Sequence, residues 1–264
     1  MKKYLVGSSW KMNKTVKESV EYIGKLIDYL KKNENYLNDA SVDVFILPTF
    51  LAIFSVSELA RNSILQYGAQ DCCWSDEGAF TGEVSPMHLK NLGCTYAELG
   101  HAERRDIFKE DDEMINKKVL GCLRNNLKPI LCIGEEKRYA RNKDAFKFIK
   151  KQMLLDLKGV SRKDVGKIII AYEPVWAIGA DASAPVDFIY EGMNFLRKLI
   201  KEEYGEAAGR DQLIIYGGSV TPQSSREILA LDNNNGIFIG RAALNLDYFI
   251  EKIEVAAEVS KSKK

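Results

Sequence analysis

The chain has 264 residues, of which 46% are hydrophobic and 28% charged, and its 38 basic and 37 acidic side chains leave a formal net charge of +1. This composition is typical of a globular protein with a sizeable core, and the balanced charge gives no reason to expect nucleic acid or an anionic membrane as a partner. No apolar stretch approaches the roughly 20 residues that span a bilayer, and the opening sequence MKKYLVGSSWKMN has too short an apolar run for a signal peptide.

The cysteine content predicts a reducing compartment. There are five cysteines, an odd number, and no two of them are spaced as C-x-x-C. We therefore expect free thiols and a cytoplasmic protein. A zinc site is not expected, because only His88 and His101 could add nitrogen ligands. The cysteines are Cys72, Cys73, Cys94, Cys122 and Cys132.

Eight short runs rich in valine and isoleucine predict strands that are buried on both faces. They recur along the whole chain, and polar residues rarely interrupt them. The predicted strands cover residues 4–6, 42–47, 64–67, 96–99, 129–133, 168–172, 213–216 and 236–239.

Amphipathic patterns separate these strands. The clearest runs from Val16 to Leu30 with apolar steps of three and four, and Thr15 and Glu18 have the spacing of a capping box at its start. Similar patterns cover residues 115–122, 189–200 and 247–255, and a weaker one covers residues 53–59.

Strands that alternate with helices predict βαβ units and a parallel sheet. Eight units averaging about 30 residues fit a single-domain α/β chain, a (β/α)8 barrel over residues 1–264. An open, doubly wound sheet is the alternative. To bind a dinucleotide, it would need a G-x-G-x-x-G turn after its first strand, where this chain has GSSWKMN.

Polar side chains follow several of the predicted strands, at the ends that form the active site of such a barrel. Lys11 follows the first strand, His101 the fourth and Glu173 the sixth, which together make a proton-transfer set. The glycine-bearing turns 217–219 and 240–241 follow the last two strands. Turns at those positions often bind phosphate through backbone N–H groups.

Each of these residues alone has an ordinary explanation. A lysine after a strand is usually solvated, a histidine such as His101 often caps a helix, and Gly217 and Gly218 could form a plain tight turn. We expect Cys132 to pack in the core and His88 to lie on a helix surface. The catalytic interpretation therefore depends on the polar residues converging at one end of the barrel.

Four segments carry a family resemblance. The sequences WKMN, ELGHAERR, YEPVWAIG and YGGSV resemble the signature segments of the triosephosphate isomerase family, and GAQDCCWSDEGAFTGEVS resembles its third loop. The resemblance covers nearly the whole chain. It implies a TIM barrel and an aldose–ketose isomerase of glycolysis and gluconeogenesis, acting on a small phosphorylated sugar without a cofactor or a metal.

The resemblance also implies roles for individual residues. Glu173 would be the general base, His101 a neutral electrophile and Lys11 the cation that faces the substrate, with Glu103 close to that lysine. Residues 176–184 would form a lid. The substrate-binding residues implied are Ser9, Lys11, Gly179, Ser219, Gly240 and Arg241.

The chain departs from the family pattern in four places. Ser9 replaces an asparagine, Ala102 a serine and Arg241 a glycine, and the lid is shorter by about one residue. The opening SSWKMN and the Gly240-Arg241 turn resemble a branch of the family that isomerises tetrulose phosphates, in erythritol catabolism. Two classes of candidate substrate therefore remain. One is the triose phosphates, and the other is tetrulose phosphates such as L-erythrulose 1-phosphate, which would give D-erythrulose 4-phosphate. A barrel that only binds a sugar phosphate is a third possibility.

The loop from Asp71 to Ser85, called loop 71–85 below, predicts a homodimer. It is long and carries Trp74, Phe80 and Thr81 near its tip. Large aromatic side chains are costly to leave in water. In the family that the chain resembles, this loop reaches into a second subunit beside the lysine.

Overall fold

The computed structural model describes residues 2–139 and 142–263. Within them, eight parallel strands follow one another around a closed barrel, in which the last strand pairs with the first. The predicted (β/α)8 barrel is therefore confirmed. The strands are β1 Tyr4–Ser9, β2 Val42–Leu47, β3 Gln66–Ala69, β4 Tyr96–Leu99, β5 Lys128–Ile133, β6 Ile169–Tyr172, β7 Leu213–Tyr216 and β8 Gly236–Ile239.

Helices connect the strands. In α1, the predicted capping box forms: the Thr15 side chain accepts from the Glu18 backbone N–H, and the Glu18 carboxylate accepts from the Thr15 backbone N–H. The helices are α1 Val16–Asp39, α2 Phe50–Ala60, α3 Pro86–Asn91, α4 Ala102–Asp106, α5 Asp112–Arg124, α6 Asn142–Asp156, α7 Val186–Tyr204, α8 Glu206–Asp211, α9 Pro222–Ala230 and α10 Leu246–Ser262.

The predicted strand bounds hold for β2, β4, β7 and β8, and differ most at the first and third strands. The first strand runs three residues further than predicted, because Gly7, Ser8 and Ser9 continue the pairing with β2. The third strand lies two residues later than predicted. There Gly68 pairs with Tyr96, and a Cβ at Gly68 would lie 2.2 Å from the Tyr96 carbonyl oxygen. This glycine is required for the close approach of the two strands, but it weakens the apolar pattern.

Two layers of apolar side chains fill the protein. The larger lies between the strands and the surrounding helices. The smaller fills the inside of the barrel, so the barrel is a packed core and not a pore. Cys132 is part of this inner layer, as expected, and His88 lies exposed on α3, also as expected. The inner layer consists of Leu5, Phe45, Leu47, Tyr96, Ile130, Cys132, Ile169, Ala171, Ile215 and Phe238.

The ring closes where the first and last strands meet, with Leu5 paired to Gly236. A Cβ at Gly236 would lie 1.9 Å from the Leu5 carbonyl oxygen, and its φ of 147° favours glycine. Among the described residues, no helix has the length and apolar character needed to cross a membrane, and no group of three or more His, Cys, Asp and Glu side chains could hold a metal ion.

Candidate active site

A cavity of about 620 Å³ opens at the C-terminal ends of the strands. Its floor is the packed inner layer of the barrel, and its walls come from the loops that follow β1, β4, β6, β7 and β8. Every site residue predicted from the sequence lines this one cavity: Ser9, Lys11, His101, Glu103, Glu173, Gly179, Ser219, Gly240 and Arg241.

Lys11 leaves the first strand in an unusual backbone conformation. Its φ is 52°, in the left-handed region that residues other than glycine rarely adopt. Two interactions hold it there. The Gln70 side-chain amide donates to the Lys11 carbonyl at 3.0 Å, and the Lys11 ammonium pairs with the Glu103 carboxylate at 2.5 Å. Local strain of this kind is often found at functional sites, where it fixes the direction of a side chain.

His101 occupies the N-cap position of α4, directly before Ala102. Its Nδ1 atom accepts the backbone N–H of Glu103 at 3.1 Å, so the ring proton must lie on Nε2. Burial lowers the pKa of His101 to about 4, and the nearby Lys11 ammonium acts in the same direction. At neutral pH the ring is therefore uncharged, and its Nε2–H faces the cavity.

Glu173 follows the sixth strand and is 3% exposed. Its Oε2 atom lies 3.8 Å from Nε2 of His101. Burial raises the pKa of Glu173 well above its usual range, and the nearby Glu98 carboxylate raises it further. A glycine makes room for the carboxylate, since a Cβ at Gly217 would lie 2.3 Å from Glu173 Oε1.

Glu98 is a cavity residue to which the sequence analysis gave no role. It lies on the fourth strand, is 3% exposed, and accepts a hydrogen bond from the Ser9 hydroxyl at 2.6 Å. Burial raises its pKa to about 7. A carboxylate within a strand that is otherwise buried was the available signal, because such a group is rarely placed there without a partner.

Comparisons with known proteins agree with this geometry. The family model described as triosephosphate isomerase matches residues 4–256. The chain belongs to the triosephosphate isomerase family. A protein named triosephosphate isomerase from Aquifex aeolicus (strain VF5) is 40% identical over 245 residues, which cover 93% of this chain and 96% of that protein.

Two further relatives carry the same name. The one from Caldanaerobacter subterraneus subsp. tengcongensis is 38% identical over 249 residues, 94% of this chain and 98% of its own length. The one from Finegoldia magna is 39% identical over 254 residues, 96% of this chain and 98% of its own length. The resemblance to the triosephosphate isomerase family that the four motifs indicated is therefore confirmed over nearly the whole chain.

In this chain, both ends of the predicted lid, residues 176–184, are hydrogen-bonded to the barrel. At the first end, Trp176 donates its ring N–H to the Glu135 carboxylate at 2.7 Å. At the second end, the Ala184 backbone N–H donates to the Tyr216 hydroxyl at 3.0 Å. Between these points, Gly179 has a φ of 67° and lines the cavity. Between its two attached ends, the segment therefore forms part of the cavity wall.

At Ser219, one of the residues expected to bind phosphate, the backbone N–H already has a partner within the protein. We expected its backbone N–H to face the phosphate, but it donates to the Ala177 carbonyl of the lid at 3.0 Å. This bond forms because the turn after the seventh strand lies directly against the lid. Only the Ser219 hydroxyl is left to contact a ligand while the bond persists. Gly240 and Arg241 line the same cavity, and the Arg241 side chain is exposed at the cavity edge.

Proposed function

We propose that this chain is an aldose–ketose isomerase that interconverts D-glyceraldehyde 3-phosphate and dihydroxyacetone phosphate through an enediolate. The observation that carries the proposal is the 3.8 Å separation between the Glu173 carboxylate and the uncharged His101 ring, across one cavity. A site that only held a sugar phosphate would need neither a buried base nor a neutral donor opposite it. The names of the relatives support the same reaction.

In this reaction, Glu173 takes a proton from the carbon beside the substrate carbonyl, and the electrons of that C–H bond form the C=C bond of the enediolate. Its raised pKa makes the ionised carboxylate a stronger base. Glu173 then returns the proton to the neighbouring carbon, and the isomerisation is complete once the hydroxyl proton has moved from one oxygen of the enediolate to the other. A positioned base of this kind typically contributes roughly 10²–10⁴-fold in rate.

The negative charge that develops on the carbonyl oxygen needs donors. The His101 Nε2–H and the Lys11 ammonium both face the cavity and can stabilise this charge. One well-placed donor is typically worth about 3–4 kcal/mol in the transition state. Because the His101 ring is neutral, it can share a proton with the enediolate more evenly than an imidazolium could.

Deuterium exchange tests this proposal directly. Dihydroxyacetone phosphate is incubated with the protein in D₂O and followed by ¹H NMR. We expect deuterium at the carbon beside the carbonyl, and loss of this exchange in Glu173→Gln. Glu113→Gln, the same change at an exposed surface carboxylate, is the matched control and should exchange like the wild type. Absence of exchange in the wild-type protein would reject the triose phosphate reaction, and the same incubation with L-erythrulose 1-phosphate would then separate a tetrulose phosphate isomerase from a barrel that only binds a sugar phosphate.

A second candidate substrate class is favoured by one observation at Ser9. Its hydroxyl donates to Glu98, which keeps this short side chain against the cavity wall. The space that a longer side chain would fill remains available for one more carbon, as in a tetrulose phosphate. Measuring kcat/KM for both substrate classes in the wild type and in Ser9→Asn separates the two hypotheses. If the protein is a tetrulose phosphate isomerase, the variant should lose activity toward the larger sugar. A wild type that is inactive on tetrulose phosphates would exclude this hypothesis.

We also propose a homodimer formed through loop 71–85. Trp74 and Phe80 contact each other edge to face, and Phe80 is still 37% exposed. Met12, beside Lys11, is 95% exposed. Such apolar exposure next to a catalytic group favours a covering subunit. We further place the protein in the reducing cytoplasm, because all five cysteines are free thiols.

Sedimentation velocity tests the dimer. We expect twice the chain mass of 29.8 kDa, and a shift to the single-chain mass in Phe80→Asp. Tyr190→Asp on α7 is the control, because that side chain is similarly exposed but lies away from loop 71–85. A wild type that sediments as one chain at micromolar concentration would reject the proposal.

A further inference from the structure

Two buried thiols outside the cavity lie in direct contact. The Sγ atoms of Cys72 and Cys122 are 3.3 Å apart. Cys72 lies near the start of loop 71–85 and Cys122 lies on α5, 50 positions later. Since a disulfide bond is about 2.0 Å long, the two sulfur atoms need to approach by little more than an ångström. The isomerase reaction uses neither thiol.

The same two segments are already held together by an ion cluster. The Lys118 ammonium donates to both oxygens of Asp71 at 2.8 Å and to Glu110 at 2.5 Å. Asp71 directly precedes Cys72, and Lys118 lies one helical turn before Cys122 on α5. The cluster is buried, so it fixes the position of the loop base against the helix. The two thiols are therefore held face to face by contacts other than their own.

We propose that Cys72 and Cys122 are a reversible oxidation site, which forms a disulfide that ties the base of loop 71–85 to α5. The oxidant is a low-molecular-weight disulfide of the glutathione class. One cysteine thiolate attacks it to give a mixed disulfide and releases one glutathione thiol. The second cysteine then attacks the mixed disulfide and releases another. Two S–H bonds are lost and one S–S bond forms, and the two electrons and two protons are carried by the two glutathione thiols.

Burial controls when this happens. The Cys72 and Cys122 side chains are 1% and 0% exposed. The hydrogen bond to Cys122, together with burial, raises the pKa of the Cys72 thiol well above its usual range. Because only the thiolate attacks a disulfide, the folded protein reacts slowly and only when the loop base opens. The pair therefore stays reduced under ordinary reducing conditions and becomes linked under sustained oxidation or during folding in an oxidising buffer.

The link also bears on the cavity. Gln70, two residues before Cys72, donates its side-chain amide to the carbonyls of Lys11 and Leu47, each at 3.0 Å. A disulfide at Cys72 would fix the segment that supports Lys11. Since the sulfur atoms move so little, we expect Lys11 to keep its position. The linked protein should then have unchanged activity and greater resistance to unfolding, because the bond closes a loop of about 50 residues in the unfolded chain.

The experiment exposes the protein to glutathione disulfide in two arms. In the first, the native protein is incubated with it; in the second, the denatured protein is refolded in a glutathione disulfide buffer, which removes the protection by burial. Peptide mapping by mass spectrometry is expected to find a peptide pair that joins Cys72 to Cys122, formed slowly in the first arm and readily in the second, and lost on reduction. A Cys72–Cys73 link, or two free thiols in both arms, would overturn the proposal.

Cys122→Ser is the matched variant, and Cys94→Ser is the control because it leaves the pair intact. We expect oxidation to raise the Tm of the wild type and of Cys94→Ser by about 5 °C or more, and to leave the Tm of Cys122→Ser unchanged. Wild-type kcat/KM should stay within about twofold. A lower Tm after linkage would show that the bond strains the loop base and would overturn the stabilising role.

Discussion

The backbone N–H of Glu103 donates to Nδ1 of His101 at 3.1 Å, and this single bond determines which nitrogen of the ring carries the proton. The donor comes from the first turn of α4, so the histidine caps the helix with one nitrogen and presents Nε2–H to the cavity with the other. The two explanations of His101 offered by the sequence, a helix cap and a catalytic group, are therefore compatible.

The first prediction concerns the charge of His101. Because burial and Lys11 lower its pKa to about 4, we expect a neutral ring with the proton on Nε2 from about pH 5.5 to pH 8. ¹⁵N NMR of the ring nitrogens measures this, and the His88→Gln variant assigns the signals, since the chain has two histidines. A charged ring at pH 6, or a proton on Nδ1, would contradict the proposed donor.

The same lowered pKa has a consequence for stability. Below the unfolded-chain value of about 6.5, the unfolded chain binds a proton that the folded protein excludes, so the contribution of His101 to stability falls as the pH drops from 6.5 toward 4. Urea unfolding across this range should show a shallower decline in His101→Gln than in the wild type.

The second prediction concerns the stability of Glu173→Gln. A carboxyl whose pKa is raised in the folded protein destabilises it at every pH above the unfolded value of about 4.3. The variant should therefore be more stable than the wild type at pH 7.5, and the difference should shrink toward pH 4.5. Urea unfolding at the two pH values measures it. Equal free energies of unfolding for the variant and the wild type at pH 7.5 would mean that folding does not raise the pKa of the Glu173 carboxyl.

The third prediction concerns Arg241. Its guanidinium lies at the cavity edge beside Gly240, where a phosphate dianion is expected. Loss of one charge-assisted hydrogen bond costs about 1.5–3 kcal/mol, so Arg241→Gln should lower kcat/KM by roughly 10–150-fold, mainly through KM. Arg226→Gln, on the outer face of α9, is the control and should leave KM unchanged. A normal KM in Arg241→Gln would place that side chain in solvent during the reaction.

The fourth prediction concerns the lid. The Tyr216 hydroxyl accepts the Ala184 backbone N–H, so Tyr216→Phe should weaken closure and lower kcat/KM by about 3–10-fold. An exposed enediolate can also eliminate phosphate, so we expect more inorganic phosphate released per turnover.

Tyr4→Phe is the control for this change. The Tyr4 hydroxyl is buried and has no hydrogen-bond partner among the described residues, so its removal should leave activity unchanged. Equal losses in the two variants, or unchanged phosphate release in Tyr216→Phe, would argue against a role of this bond in closure.

The sequence predicted the ring order and the residues that meet in the cavity, because short apolar runs and the residues after them are local signals. It did not predict individual hydrogen bonds between residues that lie far apart in the sequence. The Ser219 backbone N–H could be assigned to the phosphate from its turn alone, but the lid carbonyl that takes this bond lies about 40 positions away in the sequence.

Glu98 was missed for a related reason. Its position within a buried strand predicts core, and its partner Ser9 lies 89 positions earlier in the chain. The predicted bounds of the third strand were also wrong. Gly68 is needed because the Tyr96 backbone approaches it closely, and a glycine contributes nothing to an apolar pattern.

The pairing of Leu5 with Gly236 has a consequence for synthesis of the protein. While the ribosome is still making the chain, the first strand has β2 on one side and nothing on the other, and this remains so until almost nine-tenths of the residues have emerged. An open strand edge is a template for wrong pairing, so the nascent chain is exposed to aggregation for most of its translation. A ribosome that stalled before Gly236 would hold a chain that contains Lys11, His101 and Glu173 and yet cannot complete the ring that brings them together.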